Sequence, residues 1–253
     1  GTLNAFAGSA PITVTGLSNG DAVACTVSAQ NSVGTGPPSA ASNTVTPNSA
    51  QTIVGPFAYV PTVNTGRFSV IDLGANAVID TIAVGSSPIG IAVSPDGSRA
   101  YVVDQTAANV RVINTATRSV IATIPVGAGA WSAAVSPDGS RVFVSNTNAN
   151  TVSVINAVNN TVAGTVSVGI RPTSLVVSLD GSKVYVGSSA SLSLSVIALP
   201  ALSVSTINAG NMPYALALSP DGSRLYMVNS QPNSFGRAFA MDTATNTIVG
   251  SIQ

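Results

Sequence analysis

Trp131, Arg171 and Tyr214 are the residues of this 253-residue chain best suited to gripping another molecule. Trp131 is the only tryptophan, and Arg171 has no charged counterpart in the sister segments of the chain. An indole or phenol offers a flat apolar face with a polar handle, and a guanidinium offers a rigid fork of donors. Together they suit a glycan or a peptide. Asn211 and Met212 precede Tyr214 on the same kind of connection. Asp104 and Asn146 lie on a second set of connections, joined by Phe235 and Arg237 in the longer segment Gln231–Arg237. These nine residues form the candidate binding set; no catalytic and no metal-ligating residue is assigned.

The chemistry excluded is broader. The chain has no histidine and no glutamate, all nine acids are aspartate, and Lys183 is the only lysine. Histidine is the usual general base and the commonest metal ligand. No nucleophile elbow or phosphate loop is present either. Paired carboxylates of the glycosidase kind would have to come from Asp21, Asp72, Asp80, Asp104 and Asp242, and Asp72 and Asp242 occupy one repeat position in different copies. The expectation is a non-catalytic binding or scaffold protein without cofactor. Nine basic and nine acidic residues cancel, so no basic stripe points to nucleic acid. Cys25 is the only cysteine, which excludes a disulfide within the chain; a buried small apolar residue is its simplest role. No apolar run is long enough for a membrane-spanning helix. Charged residues make up only 7%, against about 25% in ordinary chains. With abundant Ser, Thr and Asn, this points to a secreted or cell-surface protein.

The elements that must position the candidate residues repeat. Ser-Pro-Asp-Gly-Ser stands at 94–98, 136–140 and 219–223, and Ser-Leu-Asp-Gly-Ser at 178–182, with spacings of 42, 42 and 41 residues. Proline pre-sets φ, aspartate bonds its own backbone and glycine takes the positive-φ position, so each copy closes a hairpin. Behind each turn comes an aromatic, Tyr101, Phe143, Tyr185 or Tyr226, with Tyr59 in a fifth copy, then triplets such as Val112-Ile113-Asn114 and Val154-Ile155-Asn156. In one copy the strands fall at 141–145, 151–156, 161–168 and 173–178. No segment holds a 3.6-residue period. Four antiparallel strands in about 40 residues make the blade of a β-propeller. Asp96, Asp138, Asp180 and Asp221 are turn residues, and Arg99, Arg141, Lys183 and Arg224 follow at a fixed offset as a rim of ion pairs or solvated cations. Specificity belongs on the opposite rim, where the copies differ.

The repeats resemble the YVTN family through Tyr101-Val-Val-Asp104, Phe143-Val-Ser-Asn146, Tyr185-Val-Gly-Ser188 and Tyr226-Met-Val-Asn229, with Val152-Ser-Val-Ile-Asn156 and the turns around them. That resemblance implies a seven-bladed, often cell-surface propeller. Seven blades at this period need about 290 residues. Residues 57–253 hold five partial blades, which predicts an open arc; a closed five-bladed ring would need Gln51–Val54 or a similar segment as its missing strand. Residues 1–47 resemble the second half of a bacterial fibronectin type III domain through Pro11-Ile-Thr-Val-Thr-Gly-Leu-Ser-Asn-Gly20, Gly34-Thr-Gly-Pro-Pro-Ser39 and Ser42-Asn-Thr-Val-Thr-Pro47, which implies a partial immunoglobulin-like sandwich. Residues 48–56 read as a linker. The expected fold is thus all-β. The expected partner is a protein or glycan at the propeller rim, with self-association through exposed blade edges. The alternatives are a propeller enzyme of the lactonase or quinoprotein/dehydrogenase kind and a subunit of a surface layer or filament.

Overall fold

A computed structural model of the chain describes residues 56–209, 213–229 and 237–252, with scattered positions between Ala24 and Ala41. The chain divides into two compact units, residues 1–54 and 55–253. In the first, β1 (Gln30–Asn31) pairs antiparallel with β2 (Gly34–Thr35). Most residues that carry the fibronectin-type resemblance, and Gln51–Val54, lie outside the described residues.

The second unit is a row of antiparallel sheets, each a blade. Blade 1 has three strands: β3 (Phe57–Thr62), β4 (Arg67–Asp72) and β5 (Ala77–Ala83). Blade 2 has four, β6 (Pro88–Val93), β7 (Arg99–Asp104), β8 (Asn109–Asn114) and β9 (Ser119–Pro125). Blade 3 repeats them as β10 (Ala130–Val135), β11 (Arg141–Asn146), β12 (Thr151–Asn156) and β13 (Thr161–Ser167). Blade 4 is β14 (Pro172–Val177), β15 (Lys183–Ser188), β16 (Ser193–Ala198) and β17 (Ser203–Asn208). Blade 5 is β18 (Pro213–Leu218), β19 (Arg224–Asn229), β20 (Ala238–Asp242) and β21 (Thr247–Ile252). The strands expected in the third copy sit within a residue or so of β11 to β14. A short 3-10 turn at Val63–Thr65 is the only helical element among the described residues, and no helix there is long and apolar enough to cross a membrane.

Packing explains why the middle strands read as nearly continuous apolar runs. In a strand, successive side chains point to opposite faces. In a blade both faces are covered, so alternation selects which neighbouring blade is touched. Val142 and Val144 of β11 share a buried cluster with Tyr101 and Val103 of blade 2. Phe143, between them in sequence, joins Val184, Val186 and Ile197 of blade 4. Innermost strands stack in order, β6 on β10, β10 on β14 and β14 on β18. The outermost strands carry the exposed Ser and Thr. Register shifts in the outer pairs of blades 1, 2, 3 and 5 bend those edges, which discourages edge-to-edge pairing.

The arc is open. Among the described residues blades 1 and 5 do not pack on each other. Tyr226 of blade 5 is 45% exposed, whereas Tyr101, Phe143 and Tyr185 at the same repeat position are buried.

Candidate functional site

The two rims of the arc differ in kind. One carries the hairpin turns. In the copy at 136–141, Gly139 takes φ 72° and donates its N–H to the Ser136 carbonyl at 2.8 Å. Ser136 Oγ donates to Asp138 Oδ1, Ser140 N–H to the same oxygen at 3.0 Å, and Ser140 Oγ to Asp138 Oδ2 at 2.7 Å. Arg141 N–H closes the loop on Ser136 Oγ at 3.0 Å. The same pattern holds at 94–99, 178–183 and 219–224. Donors aimed at a carboxylate favour its charged form. The first serine, then the backbone N–H of the second serine, then its hydroxyl hold Asp96, Asp138, Asp180 and Asp221 at about 2, against an ordinary 3.8.

A pH dependence follows. Because the folded pKa values are depressed, the contribution of these turns is complete above the unfolded value near 3.8 and is lost as pH falls towards 2. With no histidine in the chain, the melting temperature is expected to be flat from about pH 5 to pH 8 and to fall between about pH 4 and pH 2. Calorimetry across that range checks it; a transition centred between pH 5 and 8 would contradict it.

Two of the four cations behind the turns, Arg99 and Lys183, clamp blades together. Arg99 Nη1 of blade 2 donates to the Ala157 carbonyl of blade 3, and Lys183 Nζ of blade 4 to the Thr243 carbonyl of blade 5 at 3.0 Å. The acceptors are backbone carbonyls rather than the expected carboxylates or water. Arg224 instead pairs with Asp242 of its own blade. A cleft of about 360 Å³ opens on this rim between blades 2 and 3, walled by the Asp96 and Asp138 turns, Arg99 and Tyr101. Its two carboxylates already serve the turns, so it adds no new chemistry.

On the opposite rim, the loop between the second and third strands of a blade bonds the connection that enters the innermost strand of the same blade. Gln105 N–H reaches the Ser87 carbonyl at 3.0 Å, Thr147 N–H the Gly129 carbonyl at 2.8 Å and Ser189 N–H the Arg171 carbonyl at 3.0 Å. Asp104 fastens one such connection from beneath. It is fully buried and accepts N–H groups from Ser86 at 2.9 Å, Ser87 at 3.2 Å and Ala107 at 3.2 Å. Gly85 lies so close that an added Cβ would sit 1.8 Å from Asp104 Oδ2. Asn146 repeats the position, fully buried, donating to Thr151 Oγ1 at 3.0 Å and Ser153 Oγ at 2.9 Å. A Cβ on Gly127 would meet its amide at 2.6 Å. Where a methyl does not fit, a ligand does not, so Asp104 and Asn146 shape the rim without facing it.

What faces the rim is set by a repeated irregularity. In blades 2, 4 and 5 the innermost strand pairs at its first and third residues and skips the second; in blade 3 it pairs at Ala130 and again at Ala133. The residues set out of register are Ile89, Trp131 with Ser132, Thr173 and Tyr214. A bulge re-aims its side chain and bends its strand. Neighbouring bulges touch: the Trp131 carbonyl lies against Gly90, where a Cβ would be 2.4 Å away, and Thr173 Oγ1 donates to the Tyr214 carbonyl at 3.2 Å. Trp131 and Ile89 are half-buried, Thr173 is buried and Tyr214 is 44% exposed. Beside this row Arg171 is exposed, at φ 55°, where blade 3 has Gly129 at φ 71°. Its guanidinium has no carboxylate within salt-bridge distance among the described residues. Arg237 is exposed at the entry to β20. Asn211, Met212 and Phe235 lie outside the described residues. Ile89 and Thr173 were missed from sequence; their sole signal was variability directly after Pro88 and Pro172.

The carboxylates of this unit are committed. Each of the eight described aspartates accepts a backbone N–H, as in Gly74 N–H to Asp72, Thr81 N–H to Asp80 and Ala244 N–H to Asp242. No group of three or more possible metal ligands occurs among the described residues.

No protein-family model matches the chain, and no curated protein matches it by sequence. The YVTN-type and fibronectin-type resemblances therefore rest on the quoted motifs alone. Among solved structures, the chain is similar to Kuenenia stuttgartiensis hydrazine synthase at 26% identity and a TM-score of 0.63, covering 65% of this chain and 48% of that one. It is also similar to the dihydro-heme d1 dehydrogenase NirN in complex with DHE, at 16% identity and a TM-score of 0.65, covering 78% of this chain and 43% of that one. The chain spans less than half the length of either. Hydrazine synthase is an enzyme, and this likeness stands against the expectation of a non-catalytic chain; the likeness to NirN shows the fold. The second unit is an open β-propeller arc, and the solved structures it resembles are enzymes.

Proposed function

We propose that the chain is the propeller part of a dehydrogenase-type enzyme, in which the bulge rim binds the substrate and the reacting group comes from outside the described blades. The observation that carries this reading is the division of labour between rims. Every described aspartate is tied to backbone, while the same rim carries the half-buried Trp131 of blade 3, the exposed Tyr214 of blade 5 and, before blade 4, Arg171 with no carboxylate in reach among the described residues. The likeness to hydrazine synthase supports a propeller that serves an enzyme. A haem-type group does not fit the donors described. The chain has no histidine, Met227 and Met241 are fully buried in the blade core, and the carboxylates are engaged. The blades are therefore assigned binding and orientation. Arg171 also holds a left-handed backbone conformation that costs a non-glycine residue about 1 kcal/mol.

The test is reduction of a redox dye by the full protein with a panel of small alcohols, aldehydes and amines as donors. Trp131→Ala and Arg171→Gly are expected to lower kcat/KM at least tenfold, a loss of about 1.4 kcal/mol or more. Arg171→Gly should melt at or above the wild-type temperature, because it relieves the strain. Turnover of no donor, or equal kcat/KM in all three proteins, would overturn the reading.

A further inference from the structure

The chain is neutral overall, but its charges are sorted between the two rims. The turn rim carries six of the eight described aspartates, Asp72, Asp96, Asp138, Asp180, Asp221 and Asp242, and the four in the Asp-Gly turns are exposed. Five cations, Arg99, Arg118, Arg141, Lys183 and Arg224, stand among them. The bulge rim carries three arginines and a single described aspartate. Arg67 opens β4, paired with Thr62 across the loop. Arg237 precedes β20, and its carbonyl accepts the Asn229 N–H at 3.1 Å. Arg171 lies on the connection into β14, its N–H donating to Asn150 Oδ1 at 2.9 Å. All three arginines are exposed, and none has a carboxylate within salt-bridge distance among the described residues. Asp104, the aspartate on this rim, is no counter-ion for them: it is fully buried and taken up by three N–H groups. Among the described residues, the bulge rim thus offers free positive charge and no exposed carboxylate.

On the reading that the bulge rim binds the substrate, we propose that this substrate is an ionised carboxylic acid, gripped through its carboxylate by Arg171 and drawn in by Arg67 and Arg237. Arg171 is the anchor because it stands two residues before the bulge residue Thr173, on the same rim as Trp131. Its guanidinium fork matches a carboxylate with two parallel hydrogen bonds. Charge of one sign around a site raises the local concentration of the opposite ion, and the exposed carboxylates of the turn rim repel an anion from the other face. A phosphate fits less well. Phosphate sites are built from clustered backbone N–H groups in glycine-rich loops or at helix N-termini. Here the N–H groups of the connections are spent within the rim: Ser86 and Ser87 on Asp104, Ile170 on Ser191 Oγ and Arg171 on Asn150.

Isothermal titration calorimetry of the full protein with acetate, lactate and benzoate, each beside its neutral amide, tests this. It reads binding and not turnover, so a protein that oxidises no donor yet holds an acid refutes the dehydrogenase and not the carboxylate site. At about 10 mM salt, at least one acid is expected to bind about tenfold or more tightly than its amide, and the gap is expected to close to about threefold at about 0.5 M salt. Arg171→Gln is expected to remove the gap and leave the amide's affinity unchanged. Arg118→Gln makes the same change of net charge on the turn rim and is expected to keep the gap. Equal affinity for every acid and its amide, absence of binding by both included, overturns the proposal. So does a gap that survives Arg171→Gln or is lost in Arg118→Gln. Inorganic phosphate bound more tightly than any of the acids overturns the assignment to a carboxylate.

Discussion

Gly85→Ala is expected to lower the melting temperature by about 10 °C. The position has φ 127°, and an added Cβ would lie 1.8 Å from Asp104 Oδ2 and 2.8 Å from its Cγ. Asp104 has no room to retreat: it is fully buried and held by three N–H groups from two loops. Displacing the carboxylate leaves those donors unpaired and a charge without partners, which costs about 3–5 kcal/mol. Gly97→Ala is the control. Its φ of 70° is also unfavourable for alanine, but nothing lies within 4 Å of the added carbon. It is expected to cost about 1 kcal/mol. Thermal melts of the two variants separate backbone strain from loss of the latch; equal shifts would mean that Asp104 does not fasten the rim.

Phe143→Ala is expected to cost about 4 kcal/mol, and Tyr226→Ala less than 1 kcal/mol, although the two residues occupy one repeat position. Phe143 is fully buried between blades 3 and 4. Removing its ring leaves a cavity in addition to the lost transfer energy. Tyr226 faces away from the arc and is 45% exposed. Chemical denaturation measures both. Similar losses at the two positions would require a blade packed against Tyr226 and would contradict the open arc.

These contrasts mark what was legible in the sequence. Turn chemistry at a 42-residue spacing announced hairpins, and the aromatic behind each turn phased the strands. Blade architecture and the open arc could be read because local rules and the repeat agree. The clamp of Arg99 and Lys183 could not: fixed spacing placed the cations on one rim, but only packing shows that their acceptors are carbonyls of the next blade. Asp104 and Asn146 misled for a related reason. A polar residue at the end of a strand reads as rim-facing, yet Gly85 and Gly127 let the chain close over it. The bulges at Ile89, Trp131, Thr173 and Tyr214 left no mark beyond variability, since a bulge is a property of pairing between strands. The non-catalytic expectation failed at another level. Composition describes the groups a chain carries, and an enzyme's propeller can hold a substrate for chemistry supplied elsewhere.

The bulge rim contains the chain's single tryptophan, so its emission reports on that rim alone. The most direct measurement is therefore intrinsic fluorescence of the full protein, titrated with whichever donor in the dye assay turns over fastest. The account predicts a saturable change in Trp131 emission with a midpoint matching KM, and loss of that match in Arg171→Gly. Turnover with no change in Trp131 emission would contradict it.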